Sequence, residues 1–452
     1  MKKITIVGGG EIGSFVAERL AAEKYDVTVI DHNPEVLSEL QNNLDIGVIQ
    51  GNATNLQDLR DAEIEDSDLF IATTRQDETN LIACLLSKEL SIPSNIAITR
   101  YLGSKGHKHG QQQRLMGIDL VVNTSEVVKN EIMDVIETTG ASEVATFAEG
   151  RIVLIGYRVG PESALLGRTL EDLKQNGNGA DFHLGCLVRE HQMIPPTIET
   201  QLVLDDFLYL ITTQEALPLV NKLLQVETIK SRTAVIYGDN YLSQLLAQSL
   251  LNRHFHVTML ASSEARAEVL RTYFQNKRHF LVETGEGVEI KLLRRVKVPT
   301  TSVFIAAKSD DPSNLTACMI AKDLGVGKTV ATIKSTDMLA LASTAGVDVS
   351  VAPRIATVKT IQKVVHGNHM LDYRAVYQTN LEVIELKAQK GCKASKTMLD
   401  KVKLPEGVAI GGIVSKGEAF LPDKNRKIIA GDSVIVLTLP EHMVEVEKLF
   451  CE

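Results

Sequence analysis

The feature that most constrains this chain is that it repeats itself. Val7-Gly8 recurs as Tyr237-Gly238 and Val27-Thr28 as Val257-Thr258, both 230 positions on. Asn80-Leu81-Ile82-Ala83-Cys84 returns as Asn314-Leu315-Thr316-Ala317-Cys318, and Gly117-Ile118-Asp119-Leu120-Val121 as Gly346-Val347-Asp348-Val349-Ser350. A register held within a few residues over more than a hundred positions indicates duplication of a whole domain pair. The period is far too long for a solenoid. The 452 residues therefore divide into two similar halves, each long enough to bury its own cores.

Each half has two regimes. Lys2–Val7, Asp26–Ile30, Gly47–Gln50, Asp68–Thr73, Asn95–Thr99 and Asp119–Val122 read as short buried strands. Ile12–Ala22, Pro34–Asn43, Leu56–Ala62 and Asn80–Leu90 between them carry helical apolar spacing. This alternation predicts an α/β domain with a doubly wound parallel sheet, Rossmann-like, over 1–140. Residues 141–230 predict a small α+β module, with strands at Arg151–Val159, Gly185–Arg189, Gln192–Ile194 and Phe207–Ile211. The plan repeats as a second doubly wound domain over 231–370 and a second small module over 371–452. Ser125–Gly140 and Ile355–His369 read as helical spacers between modules.

Composition removes several function classes. Forty-eight basic against 57 acidic residues give a net charge of −9, the wrong sign for a dedicated nucleic-acid binder. Trp is absent, so base-stacking platforms are not expected. The five cysteines, at 84, 186, 318, 392 and 451, form no CxxC and read as reduced thiols in a cytosolic protein. The amino terminus turns straight into glycines rather than forming a signal peptide. No apolar run is long enough to insert into a bilayer.

The chemistry concentrates after the first strand. Gly8-Gly9-Gly10-Glu11-Ile12-Gly13 fits G-x-G-x-x-G at a strand-to-helix turn. The first glycine permits the turn, the second lets a diphosphate approach the backbone, and the third lets helix and strand pack. Asp31 ends the second strand 18 residues after Gly13, near the spacing of roughly 20 expected for a ribose acceptor. A carboxylate there disfavours a 2′-phosphate, so NAD or an adenine nucleotide is expected over NADP. Asn52, Ala53 and Thr54 follow the third strand, Thr73 the fourth, and Arg100 closes the fifth. All lie at carboxyl ends of strands, where a doubly wound sheet binds its ligand. A turn asparagine, strand-end threonines and a solvated arginine are also common without one.

The second half keeps only the first glycine, in Gly238-Asp239-Asn240-Tyr241-Leu242-Ser243, and has Ala261 where Asp31 stands. It is expected to be structural, or to bind weakly something other than NAD. Gly325-Val326-Gly327-Lys328-Thr329 resembles the end of a Walker A loop, but Lys322 replaces its first glycine and a strand follows. His107 and His109 have no partners at metal spacing, and the basic run Lys291–Lys297 reads as a helix face. No residue is nominated as catalytic and none as a metal ligand.

These residues resemble a known family. The Gly8–Gly13 fingerprint, Asp31, Gly51-Asn52-Ala53-Thr54, the Asn80-Leu81 helix and Arg100 look like a domain regulating K⁺ conductance. The modules at 151–228 and 380–452 are similar to the C-terminal domain that accompanies it. Two such pairs in one chain resemble the TrkA family, cytosolic regulatory subunits of Trk-type bacterial potassium transporters. The resemblance implies a non-enzymatic protein that binds NAD(H) or ATP/ADP. It also implies a homo-oligomeric ring, a tetramer, held at the inner face of the cell membrane by an integral-membrane potassium transporter that it gates. The family's G-D-A-T is Gly51-Asn52-Ala53-Thr54 here, which removes a carboxylate beside the ligand. The rival reading is an NAD-dependent oxidoreductase, since the same fingerprint serves hydride transfer. The attached modules offer it no convincing acid or base; His183 and His191 flank a strand.

Overall fold

The computed structural model describes residues 2–100, 117–137, 141, 143–161, 163–175, 181–190, 192–194, 197, 199–224, 231–365, 370–375, 381–405, 407–423 and 425–451. His107, His109 and His191 lie outside them. The chain forms two compact units, residues 1–130 with 352–365, and residues 131–351 with 366–452.

The strands of the first unit are β1 (Lys3–Val7), β2 (Asp26–Asp31), β3 (Gly47–Gln50), β4 (Leu69–Ala72), β5 (Ser94–Thr99) and β6 (Leu120–Asn123). They form a six-stranded parallel sheet in the order β3-β2-β1-β4-β5-β6. The helices α1 (Glu11–Ala22), α2 (Pro34–Asn43), α3 (Leu56–Asp61) and α4 (Asp77–Glu89) alternate with them. Both faces of the sheet are covered, so β4 is buried along its whole length and its sequence is continuously apolar. Helix α1 buries Gly13, Val16, Ala17 and Leu20, a helical stripe against the sheet. The order reverses direction at β1 and β4, the switch point where such folds open a ligand crevice.

The repeated Asn-Leu motif is a structural clamp. Asn80, fully buried, accepts from Thr74 N at 2.8 Å and donates to Thr74 O at 3.0 Å and Ile98 O at 2.8 Å. Asn314 repeats it with Lys308 N, Lys308 O and Thr332 O, each at 2.9 Å. In both places one side-chain amide ties the loop after the fourth strand to the fifth strand. The remaining layer over the first sheet comes from the other half of the sequence. Helix Pro353–Val365 sends Val358, Ile361 and Val365 into the cluster of Ile4, Val16 and Leu20. Gln362 donates to Glu23 Oε1 at 2.7 Å, and Lys2 Nζ to Val365 O at 2.7 Å. The two spacer helices expected from the sequence are Thr124–Glu137 and Pro353–Val365.

The second unit holds three sheets. Strands β7 (Glu143–Phe147), β8 (Ile152–Arg158), β9 (Phe182–Arg189), β10 (Gln192–Ile194) and β11 (Phe207–Thr213) make an antiparallel sheet in the order β10-β9-β11-β8-β7. The other parallel sheet follows, from β12 (Thr233–Tyr237), β13 (His256–Ala261), β14 (Phe280–Thr284), β15 (Val303–Ala306), β16 (Lys328–Thr332) and β17 (Val349–Val351). Its order, β14-β13-β12-β15-β16-β17, repeats that of the first unit. Strands β18 (Met370–Ala375), β19 (Glu382–Lys387), β20 (Ala409–Ser415), β21 (Glu418–Phe420) and β22 (Ser433–Thr438) make a second antiparallel sheet, in the order β18-β19-β22-β20-β21.

The two antiparallel sheets share a core in which Phe147, Ile152, Tyr209 and Ile211 meet Val383, Val414 and Leu437. Glycines bring them together: a Cβ on Gly185 would lie 2.7 Å from Leu437, and one on Gly411 2.3 Å from Ile211. Glu385 crosses this layer to accept Ala148 N at 2.8 Å. Strand β7 and helix Leu217–Leu223 are additions to the plan read from the sequence.

Candidate functional site

Parallel register sets the site. Val7 pairs with Ile30 and with Ala72, so Gly8, Asp31 and Thr73 leave their strands side by side. Gly8 has φ +93°, where only glycine is unstrained, and a Cβ there would approach Thr74 N at 2.9 Å. Gly13 is closed tightly against the strand, since its Cβ would fall 1.8 Å from Gly8 O. Gly9 packs on α2, with Val36 2.7 Å from its would-be Cβ. Gly10 alone has nothing within 4 Å of that position. The glycine expected to admit a diphosphate is the one with open space beside it.

Gly10 is the N-cap of α1, and no side chain caps the first turn that begins with Glu11 and Ile12. Three turns of helix end there on main-chain amides, a site that favours an anion. Asp31 stands beside it, its side chain 11 % exposed. Its Oδ2 accepts Gly9 N at 2.7 Å and its Oδ1 accepts Asn33 N at 2.9 Å. His32 Nδ1 lies 3.1 Å from the same Oδ1. The carboxylate is thus held rigidly on the glycine loop, with acceptor capacity left on each oxygen.

The other predicted residues sort themselves by what their polar atoms do. Thr73 is buried, and its hydroxyl donates to Val7 O at 2.9 Å and Gly8 O at 2.8 Å. It holds the glycine loop and does not face the crevice. Asn52 and Thr54 are exposed, while Ala53 is buried. The Asn52 side-chain oxygen accepts from Thr54 N at 3.0 Å and Thr54 Oγ1 at 2.9 Å, closing its own turn. Asp58 anchors that turn by accepting Asn52 N at 2.7 Å. Arg100 is exposed at the end of β5, its amide held by Asp77 Oδ2 at 2.9 Å. Its guanidinium is a cation that the sequence places on this edge.

The second crevice is built from the equivalent strands of the other parallel sheet and closed by its own side chains. Asn240, in the place of Gly10, caps helix Tyr241–Asn252 by accepting Ser243 N at 3.0 Å. It also donates to Ala307 O at 2.6 Å. Asp239, in the place of Gly9, accepts Ser262 N at 2.9 Å and Ser262 Oγ at 2.6 Å. The carboxylate missing at Ala261 is therefore replaced from the loop, and it is already bonded. Across the strand ends Lys308 Nζ lies 2.8 Å from Glu286 Oε2 and 3.1 Å from Tyr237 Oη, and Tyr237 donates to Glu286. The Lys308 ammonium holds Glu286 below the usual carboxylate range, and burial lifts the Tyr237 phenol. Sequence reasoning missed this triad; the paired glycines of Gly285-Glu286-Gly287 were its one visible signal.

The two parallel-sheet domains, residues 4–124 and 234–353, both match the model of the TrkA-N domain. The chain belongs to the TrkA-N family. Two matches to one domain model account for the strand plan that both crevices share. The chain is 28 % identical to the Trk system potassium uptake protein TrkA of Vibrio alginolyticus, over 99 % of its own length and 98 % of that protein's. It is 26 % identical to the Trk system potassium uptake protein TrkA homolog 1 of Methanosarcina mazei, over 99 % and 100 % respectively. Among solved structures it is similar to the GsuK RCK domain, with a TM-score of 0.60 and 17 % identity, covering 100 % of this chain and 95 % of that one. The GsuK channel bound to NAD has a TM-score of 0.59 at 17 % identity, covering 99 % of this chain and 79 % of that chain. These last likenesses concern the fold: two Rossmann-like parallel-sheet domains with antiparallel modules. No described helix is long and apolar enough to cross a membrane, and no described cluster of His, Cys, Asp and Glu has the makings of a metal site.

Proposed function

We propose that this TrkA-N protein is the nucleotide-sensing regulatory subunit of a Trk-type potassium uptake system. It binds NAD(H) or ATP/ADP in the first crevice and gates the integral-membrane transporter. The observation that carries the reading is the uncapped start of α1 at Gly10 beside the fixed carboxylate of Asp31. An anionic diphosphate fits the helix start, a ribose fits Asp31, and Arg100 supplies a cation at the rim. Full-length similarity to proteins named for Trk potassium uptake supports the role.

The protein works as a homo-oligomer, a tetramer, peripheral to the cytoplasmic face of the membrane through its transporter. Four modules share this role, spanning 1–140, 141–230, 231–370 and 371–452. Chemistry is not catalysed; the nucleotide biases one conformation by its differential affinity, about 1.4 kcal/mol per tenfold preference.

Calorimetric titration of the purified chain with NAD⁺, NADH, ATP, ADP and NADP⁺ tests the binding half. One nucleotide per chain is expected, NADP⁺ weakest, with affinity lost in Asp31→Ala. Potassium flux through vesicles holding the cognate membrane subunit tests the gating half. Flux indifferent to the added chain, or steady turnover of NADH, refutes the role.

A further inference from the structure

Parallel strands all start from one edge of their sheet, the edge opposite the crevice. In the second parallel sheet that edge can be followed from contact to contact. Thr301 Oγ1 donates to Lys297 O at 3.0 Å, and Ser302 N, next along the chain, donates to Thr233 O at 3.2 Å. Thr233 pairs with His256, and the rings of His256 and His279 lie 4.2 Å apart. Arg232 precedes Thr233, and Lys277 and Arg278 precede His279. Lys297, Arg232, His256, Lys277, Arg278 and His279 are all exposed. Helix Ile290–Arg295 runs back to the same edge and ends on Arg294 and Arg295, of which Arg295 lies 3.1 Å from Glu283. The segments 231–237, 250–262, 275–282 and 290–302 that build the edge contain no Asp and no Glu.

The equivalent edge of the first sheet is mixed. Lys2, Lys3 and Lys24 stand exposed there among Asp26, Asp45, Asp66 and Asp68. Lys297 sits in a left-handed turn at φ +62°, and the first unit holds Glu63 in the matching turn at φ +50°. A single sign of charge along the whole edge is therefore a property of the second sheet and not of the strand plan.

We propose that this cationic edge of the second parallel sheet docks on the anionic phospholipid headgroups of the membrane. Charge decides the occupant. An anionic leaflet attracts every Lys and Arg held within a screening length of it. The cytoplasmic loops of integral-membrane proteins carry an excess of Lys and Arg, so they repel this edge and leave the lipid around them as its complement. Tyr273 and Leu281, 47 % and 67 % accessible, border the edge, and an amphipathic ring with an aliphatic side chain suits the boundary between headgroups and acyl chains. The chain's net charge of −9 holds the rest of it away from an anionic surface, which confines the contact to this edge. The inference rests on the reading above that places the chain at a membrane, and it adds a lipid contact beside the transporter.

The test uses the full-length chain and vesicles that hold no transporter. The wild type should float with vesicles of mixed phosphatidylglycerol and phosphatidylcholine and not with phosphatidylcholine alone. It should be released as salt shortens the screening length from about 10 to about 3 Å. An edge variant carries Lys277→Glu, Arg278→Glu and Lys297→Glu. A control carries Lys390→Glu, Lys403→Glu and Lys416→Glu, three exposed lysines of the last module, for the same change in net charge. All six sites are exposed, so melts matching the wild type are expected. Each cation near an anionic leaflet strengthens binding about fivefold. The edge variant should therefore bind about 100-fold more weakly or worse, and the control within about fivefold of the wild type. A wild type that ignores phosphatidylglycerol, or that binds both vesicles alike, overturns the proposal. Equal losses in the two variants overturn it as well, since net charge alone would then act. So does an edge variant that floats like the wild type yet no longer alters potassium flux with the cognate membrane subunit, which would assign the edge to a protein partner. Lipid binding lost only in the edge variant, with flux indifferent to the wild-type chain, refutes the transporter role and leaves the edge in place.

Discussion

Replacing Gly10 by alanine separates folding from binding. The residue sits at φ −71°, ψ −168°, an extended conformation open to any L-residue, and its new Cβ would meet nothing within 4 Å. The one folded-state cost is a poorer N-cap, about 1 kcal/mol at most. For a unit of this size that lowers the melting temperature by about 3 °C. The methyl group would nonetheless occupy the space through which a diphosphate reaches the α1 amides. Hydrogen bonds to a charged group contribute about 1.5–3 kcal/mol each, so losing two weakens binding about 100-fold or more.

Gly13→Ala is the contrasting control. Its Cβ would lie 1.8 Å from Gly8 O and 2.6 Å from Thr73 Oγ1, backbone and a buried hydroxyl that cannot step aside. That variant should lose about 3 kcal/mol or more, or fail to fold. Paired thermal melts and calorimetric titrations with the five nucleotides give both readouts. If Gly10→Ala melts like the wild type and binds within about threefold of it, no diphosphate lies on this loop and the assignment of the site is wrong.

Three further outcomes follow from buried groups. Asn80→Ala strips four hydrogen bonds from the loop after β4, and Asn314→Ala does the same in the second sheet; each should cost about 2–4 kcal/mol in urea melts, and an unchanged midpoint would remove the clamp. Lys328 donates to Val135 O at 3.1 Å and Ala141 O at 3.0 Å, and burial pulls its ammonium down from 10.5 to about 8. Between those values the unfolded chain holds a proton that the folded chain has released, so stability should rise with pH by up to about 3 kcal/mol; Lys328→Met should flatten that slope in denaturant melts at about pH 8 and pH 10. Burial raises the thiols of Cys84 and Cys186 to about 12 and that of Cys318 further. A disulfide reagent at neutral pH should therefore leave these three unmodified until the protein is denatured, and rapid native labelling at any of them would contradict their packing.

The parallel-sheet domains were legible because their central strands are buried on both faces and punctuated by glycine loops, although the edge strand Gly47–Gln50, expected to be buried, is exposed at both ends. Their elements fall within a few residues of the pattern. Side-chain direction was less legible. Thr73 has the right type and place for a ligand contact, yet its hydroxyl is turned back onto Val7 and Gly8 by the pairing of β1 with β4. Strand β7 escaped because a buried Glu143 opens it, and the Tyr209 hydroxyl that donates to this carboxylate at 2.9 Å is 66 residues away. That bond passes over Gly156, where a Cβ would lie 3.0 Å from both partners. Nothing local in Pro353–Val365 says that its apolar face covers a sheet formed more than 230 residues earlier. Long-range partnership is decided by packing, and a helical period records only that a partner exists.

The second crevice has done more than lose its glycines. At the loop and strand ends its side chains bond one another: Asn240 caps its helix, Asp239 holds Ser262, and Lys308 is paired with Glu286. A site that satisfies itself gains nothing from a nucleotide, so under the proposed function only the first domain is expected to bind one. Restoring the glycine alone should then fail. Asn240→Gly leaves Ser243 N without its acceptor and costs roughly a few tenths of a kcal/mol. The Glu286–Lys308 pair still spans the crevice, so calorimetry should show no second nucleotide. Adding Glu286→Asn and Lys308→Thr, the residues of the first half, clears the strand ends. If the triple variant binds a second equivalent while Asn240→Gly alone does not, the pair is the barrier. If Asn240→Gly alone binds one, the cap is the barrier and the triad only decorates the rim.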